Sequence, residues 1–180
     1  MHPDVESILF SEEQLKKRVE EIGAQITRDF AGKQPLFVGV LKGSFMFMAD
    51  LMRCVDLSCS VDFMAVSSYG NKSVSTGAVK INKDLSEDIE GRHVIIVEDI
   101  LDSGVTLSYL KKYLEVRKPA SITIATLMDK PARRKADVYA DYSCFEVPDA
   151  FVVGYGLDYD SRYRNLPDIG VLSPAIYEKP

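Results

Sequence analysis

Apolar residues follow two patterns along the chain. Leu15, Val19, Ile22, Ile26 and Phe30 recur at helical spacing and would line one face of a helix. Ser11 with Gln14 three residues on is a capping-box signature for its start, and Gly32 is a suitable stop. Phe45–Met52 and Thr106–Val116 read as two further helices. Other apolar residues form short unbroken runs. Leu36–Leu41 (LFVGVL) and His93–Glu98 (HVIIVE) are the strongest, as expected of strands buried on both faces. Ser60–Ser68 and Ser121–Met128 read as strands too, with shorter ones expected at Cys144–Val147, Phe151–Gly154 and Gly170–Leu172. Tyr69–Lys83 is polar and reads as a long loop with an edge strand near Val79–Ile81; long loops often cover binding sites. Asp99–Gly104 reads as a polar turn.

Strands alternating with helices predict an α/β fold around a mainly parallel central sheet. Ligands of such sheets sit at the carboxyl ends of the strands. The turns after Leu41, Glu98 and Met128 are therefore the places to look for chemistry.

Composition narrows the field. A chain of 180 residues with 46% hydrophobic residues is expected to form one domain with a real core, not a disordered or collagen-like chain. No apolar run approaches the ~18 residues of a membrane span. A net charge of −5 argues against a general nucleic-acid binder, though not against a local phosphate pocket. Met1–Ser7 has neither the basic nor the apolar region of a signal peptide. Cys54, Cys59 and Cys144 form no CxxC pair and are odd in number, which fits a reducing cytoplasm. Two histidines leave little material for a zinc site or a serine triad.

The segment Glu98-Asp99-Ile100-Leu101-Asp102-Ser103-Gly104-Val105-Thr106 carries the densest chemistry. A helix N-terminus offers unpaired N–H groups and a partial positive charge. Ser103 and Thr106 add hydroxyls and Gly104 a close backbone, which together suit a phosphate. The adjacent carboxylates suit hydroxyls, Mg²⁺ or a developing cation. A phosphorylated sugar with free hydroxyls fits both halves. The blander reading, a capped helix with solvated acids, accounts for Ser103 and Thr106 but not for Glu98-Asp99 at the end of a buried strand. No P-loop is present, and Gly154-Tyr155-Gly156 lacks the third glycine of a dinucleotide fingerprint.

Val94–Leu107 (VIIVEDILDSGVTL) resembles the phosphoribosyl pyrophosphate motif of type I phosphoribosyltransferases. GVLKGSFMFMADL at Gly39–Leu51, SSYGNKSVSTG at Ser67–Gly77 and FEVPDAFVVGYGLDYDSRYRNLP at Phe145–Pro167 resemble segments of the hypoxanthine-guanine branch. The likeness runs in order along nearly the whole chain. It implies a type I phosphoribosyltransferase fold: one domain over residues 1–180, a central mainly parallel sheet flanked by helices, a small hood built from the N- and C-terminal segments, and a mobile loop at about 68–80. It implies purine salvage in the cytoplasm, with transfer of ribose 5-phosphate from phosphoribosyl pyrophosphate to hypoxanthine or guanine, giving IMP or GMP and pyrophosphate, with Mg²⁺, in a homodimer or homotetramer.

The resemblance also implies roles. Glu98 and Asp99 would hold the ribose hydroxyls and approach the metal, for which Asp158 is the family's ligand. Asp102, Ser103, Gly104, Val105 and Thr106 would cradle the 5-phosphate, and Asp102 would exchange a proton with purine N7. Carboxylates nearby would stabilise an oxocarbenium-like transition state. Lys42 and Gly43, after a Leu41–Lys42 peptide expected to be cis, and Arg164 would bind pyrophosphate. Lys130 is donor-only, so it would meet O6 of hypoxanthine or guanine and reject the amino group of adenine. Phe151 would stack on the base, and Val152 would read it with its backbone. Ser68 and Tyr69 begin the loop that closes over the site.

Three positions depart from the family pattern. Val105 stands where some members carry lysine, Ser103 replaces a common threonine, and Ala150 replaces a frequent lysine beside the base. Two other readings remain open: a regulator on the same fold that binds nucleotide and RNA, and a transferase preferring xanthine. The densest basic cluster for a regulator is Lys130–Lys135 (KPARRK). No membrane or nucleic-acid partner is expected.

Overall fold

A computed structural model describes residues 2–68 and 79–178. Among the described residues, nine strands and four helices follow in the order β1 (Val5–Phe10), α1 (Glu12–Asp29), β2 (Leu36–Leu41), α2 (Phe45–Arg53), β3 (Ser60–Ser68), β4 (Val79–Lys83), β5 (His93–Leu101), α3 (Val105–Glu115), β6 (Ser121–Asp129), β7 (Tyr142–Glu146), β8 (Val152–Val153), β9 (Ile169–Leu172) and α4 (Pro174–Tyr177). A 3-10 turn, Pro131–Arg133, follows β6.

Six strands form the central sheet in the order β4-β3-β2-β5-β6-β7. All neighbours pair parallel except β4, which runs antiparallel to β3 at the edge. Both faces of the sheet are covered, which explains the unbroken apolar runs. Leu36, Val38 and Val40 pack with Val94 and Ile96 beneath Leu107, Leu110 and Leu114 of α3. Phe37, Ile95 and Val97 face the other way, onto Leu15, Val19, Ile22 and Ile26 of α1 and Phe47 of α2. Burying each such side chain contributes roughly 1.5–3 kcal/mol. The start of α1 matches expectation: Gln14 N–H donates to Ser11 Oγ, and Ser11 N–H donates to Gln14 Oε1.

A separate three-stranded antiparallel sheet, in the order β1-β9-β8, joins the two ends of the chain. The hydrophobic pattern gave no hint of β1 or of α4. Within β1 only Val5 is buried and the next three residues are exposed, so no alternation marks the strand.

One expectation needs correction. Asp99–Gly104 is not wholly a turn, because β5 continues to Leu101 and pairs Ile100 with Met128 and Leu101 with Asp129. Leu101 packs into the α3-side core, which outweighs the turn-like look of the carboxylates around it. Glu98 and Asp99 thus stand on a strand end, and the turn proper is Asp102–Gly104.

Candidate active site

Three neighbouring parallel strands deliver the chemistry to the carboxyl end of the central sheet. After β2, the Leu41–Lys42 peptide is cis. Lys42 is exposed, while Gly43 is buried against Asp99 of β5, so that a β-carbon at position 43 would overlap the Asp99 carboxylate. A β-carbon at Gly156 would collide with the Gly43 carbonyl, so these two glycines let the loop after β8 approach the loop after β2. That second loop carries Asp158 and Arg164. Arg164 Nη1 donates to Gly156 O at 2.6 Å, and Nη2 lies 2.6 Å from Asp158 Oδ1. Asp158 Oδ2 also accepts from Ser161 N–H at 2.8 Å.

Glu98 and Asp99 form an unusual pair. Burial pushes the Glu98 carboxyl well above the ordinary range, and the neighbouring Asp99 charge adds to this. Burial raises Asp99 as well, against the opposing pull of the Ile100 N–H, of Glu98 and of the Arg164 guanidinium. Glu98 Oε2 is buried with no hydrogen-bond partner among the described residues. Such a pair is incomplete by itself, because a buried acceptor normally has a donor or a cation. Hydroxyl donors or a divalent cation would complete it. Among the described residues no cluster of three or more His, Cys, Asp or Glu side chains would hold a metal alone. A hard ion held by one or two carboxylates and a substrate's phosphates is the arrangement these residues fit.

Beyond Leu101, Asp102–Gly104 leads into α3. Gly104 is the N-cap at φ 77°, and no side chain caps the helix. Ser103 Oγ accepts only a long bond from Val105 N–H, at 3.4 Å. The loop is held from behind by Arg134, whose Nε donates to Asp102 O at 3.0 Å and whose Nη2 reaches Leu101 O and the Asp129 carboxylate. Lys135 and Ala136 N–H groups donate to Ser103 O. The result is a braced loop of short residues leading into a helix N-terminus, an arrangement that suits an anion.

The third strand end is Lys130, after β6. It is buried, and its ammonium donates to Ala150 O at 2.7 Å, with Asp149 Oδ1 4.0 Å away. The Ala150 departure is thus met through a backbone carbonyl. Lys130, Asp102, Phe151, Val152 and Asp158 line one cavity of about 430 Å³, together with the apolar Ile100 and Leu157. Phe151 is 40% exposed, stacked on Tyr177 and edge-on to Tyr159. Its neighbour β8 is an edge strand, paired on one side only, which leaves backbone groups of Val152 for a ligand. A larger groove of about 520 Å³ between α1, α2 and Asn165–Pro167 contains none of the candidate site residues.

Thus five of the expected residues share the cavity. Lys42, Gly43, Glu98, Asp99, Arg164 and the Ser103–Thr106 loop lie outside its lining, joined to it by the contacts above. The Ser68 strand end is described, but Tyr69 and most of the expected mobile loop lie outside the described residues. The sequence reading missed Arg133, Asp149 and Tyr177, which also line the cavity. The only sequence signal for Arg133 and Arg134 was their place in KPARRK.

Comparison with known proteins agrees with this arrangement. The phosphoribosyl transferase domain family matches residues 7–160. The chain belongs to this family. Within it, the hypoxanthine-guanine phosphoribosyltransferase of Bacillus subtilis is 58% identical over 178 residues, 99% of each chain. That of Streptococcus thermophilus is 52% identical over 179 residues, again 99% of each. A crystal structure of a hypoxanthine phosphoribosyltransferase from Staphylococcus aureus superposes with a TM-score of 0.96 at 51% identity, covering 99% of this chain and 97% of that one. The fold is the type I phosphoribosyltransferase fold.

Proposed function

We propose that this phosphoribosyltransferase makes IMP and GMP, moving the 5-phosphoribosyl group of phosphoribosyl pyrophosphate to N9 of hypoxanthine or guanine. The observation that carries the reading is a single cavity lined by a carboxylate, Asp102, a buried lysine, Lys130, and an exposed aromatic ring, Phe151. The relatives' names point the same way.

The base stacks on Phe151. Lys130 keeps donors beyond the one given to Ala150 O, and these meet O6 of a keto-purine. Val152 completes the edge with backbone groups. The 5-phosphate rests on Ser103, Gly104, Val105 and Thr106, and the ribose hydroxyls donate to Glu98 and Asp99. Lys42, Gly43 and Arg164 take the pyrophosphate. N9 of the base forms a bond to C1′ of the ribose as the bond from C1′ to the pyrophosphate oxygen breaks. The electron pair of that bond leaves with pyrophosphate, and Asp102 takes the proton from N7. The carboxylates of Glu98 and Asp99 offset the positive charge that develops on the ribose ring. Asp158, Glu98 and Asp99, together with the substrate's phosphates, would hold Mg²⁺, which would supply charge neutralisation for the leaving pyrophosphate. The small β1-β9-β8 sheet acts as the hood, and the enzyme works as a homodimer or homotetramer. The three cysteines are free thiols, which suits the cytoplasm. No described helix is long and apolar enough to cross a membrane.

The regulatory reading is disfavoured by the basic cluster. Lys130 is tied to Ala150, Arg133 to Asp102 and Asp149, and Arg134 to the loop and Asp129. These cations face the cavity and its supports instead of forming a surface for RNA. The test is turnover with phosphoribosyl pyrophosphate and Mg²⁺, offering hypoxanthine, guanine, xanthine and adenine separately. Turnover of hypoxanthine and guanine but not adenine is expected. Turnover of xanthine alone would move the assignment to a xanthine enzyme, and none with any purine would sink it.

A further inference from the structure

Arg133 and Asp149 stand at the mouth of the base cavity and have no part in the reaction as described. Arg133 Nη1 donates to Asp102 Oδ2 at 3.4 Å, and its Nε lies 3.3 Å from Asp149 Oδ1. One rigid guanidinium fork therefore spans two carboxylates, and one of them is the proposed proton acceptor. The two oxygens of Asp102 differ. Oδ1 is buried and has no hydrogen-bond partner among the described residues, whereas Oδ2 accepts from Arg133. A carboxylate with a buried, unpartnered oxygen gains by rotating, since that relieves the lost hydration. The guanidinium opposes the rotation by holding Oδ2, and an oxygen that accepts one bond from arginine keeps a second acceptor site for the base.

The adjacent arginine does different work. Arg134 is mostly buried and ties together Leu101, Asp102, Asp129 and Val138. Arg133 is about half exposed, and so are its two partners. Exposed pairs of this kind contribute little to stability. A structural role therefore does not account for Arg133, whereas the geometry of Asp102 does.

We propose that Arg133, anchored by Asp149, is a positioning residue for the transfer: it fixes the Asp102 carboxylate with Oδ2 turned to the base. This rests on the reading of Asp102 as proton acceptor given above. The test compares Arg133→Ala, Arg133→Lys, Asp102→Asn and the Asp102→Asn/Arg133→Ala pair in hypoxanthine turnover, with thermal unfolding of each. For Arg133→Ala, kcat is expected to fall about tenfold, less than the roughly 10²–10⁴-fold that a positioned acid–base group itself contributes, with the KM for phosphoribosyl pyrophosphate and the melting temperature nearly unchanged. Arg133→Lys recovers part of the loss, because an ammonium still reaches Oδ2. In the Asp102→Asn background, removing Arg133 has no further effect. Unchanged kcat in Arg133→Ala, an equal loss in both backgrounds, or a change confined to KM would each overturn the proposal. If the unmodified enzyme turns over no purine, the functional reading itself fails; if it turns over hypoxanthine and Arg133→Ala matches it, only the role of Arg133 falls.

Discussion

The carboxylate of Asp99 packs directly on the backbone of Gly43, with no room between them for a methyl group. The contact locks the loop after β2 to the end of β5 and thereby fixes the distance between two parts of the substrate site.

Gly43→Ala should break that relationship. The new methyl group must displace either Asp99 or the loop, at a cost of about 1–3 kcal/mol as for other overpacked sites. Because both displaced groups bind phosphoribosyl pyrophosphate in the proposed mechanism, kcat/KM for that substrate should fall about 100-fold. Steady-state kinetics beside thermal unfolding would check this. Normal kinetics in a folded variant would show that the contact does not position the site.

Lys130→Gln should change which base is accepted. The lysine is held by Ala150 O and offers only donors to the base. A glutamine amide offers both a donor and an acceptor, so adenine's amino group would find a partner. Hypoxanthine kcat/KM should drop about 100-fold while the adenine value rises, which narrows the ratio between them. Competition kinetics with the two bases measure it. An unaltered ratio would place selectivity elsewhere in the cavity.

Acid sensitivity should trace in part to Asp62, a buried carboxylate in β3. Burial alone would raise its pKa, but the Ser86 and Phe63 N–H groups and the Lys83 ammonium outweigh burial and hold it below the ordinary value. A group whose folded pKa is depressed contributes stability that is fully present above its unfolded pKa, about 3.9 for aspartate. That contribution is lost as pH falls through the lower folded value. Asp62→Asn should cost about 2 kcal/mol at pH 7, as for hydrogen bonds to a charged group, and should flatten the loss of stability below about pH 4. Unfolding curves from pH 2 to 7 for both proteins test this; parallel curves would mean that Asp62 does not contribute to the acid limb.

Arg134→Ala should behave unlike Arg133→Ala. It removes bonds to Asp102 O, Leu101 O, Val138 O and the Asp129 carboxylate at once. The Asp129 carboxylate would be left without its partner, and breaking such an ion pair costs about 3–5 kcal/mol where it is well buried. A lower melting temperature together with a raised KM for phosphoribosyl pyrophosphate is expected, since the loop after β5 loses its brace. A variant as stable as the parent would contradict the brace.

The central sheet was legible because its strands are buried on both faces, so LFVGVL and HVIIVE needed no partner to be recognised. The second sheet was not. Residue Val5 of β1 finds Leu172 at the far end of the chain, and that pairing leaves no periodic trace in either segment. The end of β5 misled for a related reason: Asp99 and Asp102 look like turn residues, while Leu101 between them is held by the α3-side core. In the candidate site, Lys42, the Glu98-Asp99 pair and the Asp102–Thr106 loop stood out because each follows a buried strand. Phe151 by itself reads as core, and only the resemblance marked it for the base. Arg133 and Arg134 read as one basic cluster, since nothing in sequence separates an arginine that braces a loop from one that faces a carboxylate across the cavity.

The most direct test is the rate of the chemical step in Asp102→Asn, measured in a single turnover with enzyme in excess over hypoxanthine and with phosphoribosyl pyrophosphate affinity measured alongside. Asparagine keeps the shape but cannot take the N7 proton. The account predicts a chemical step slower by about 10²–10⁴-fold with affinity for phosphoribosyl pyrophosphate within about twofold of the parent. A chemical step at the parent rate would contradict it and remove Asp102 from the reaction.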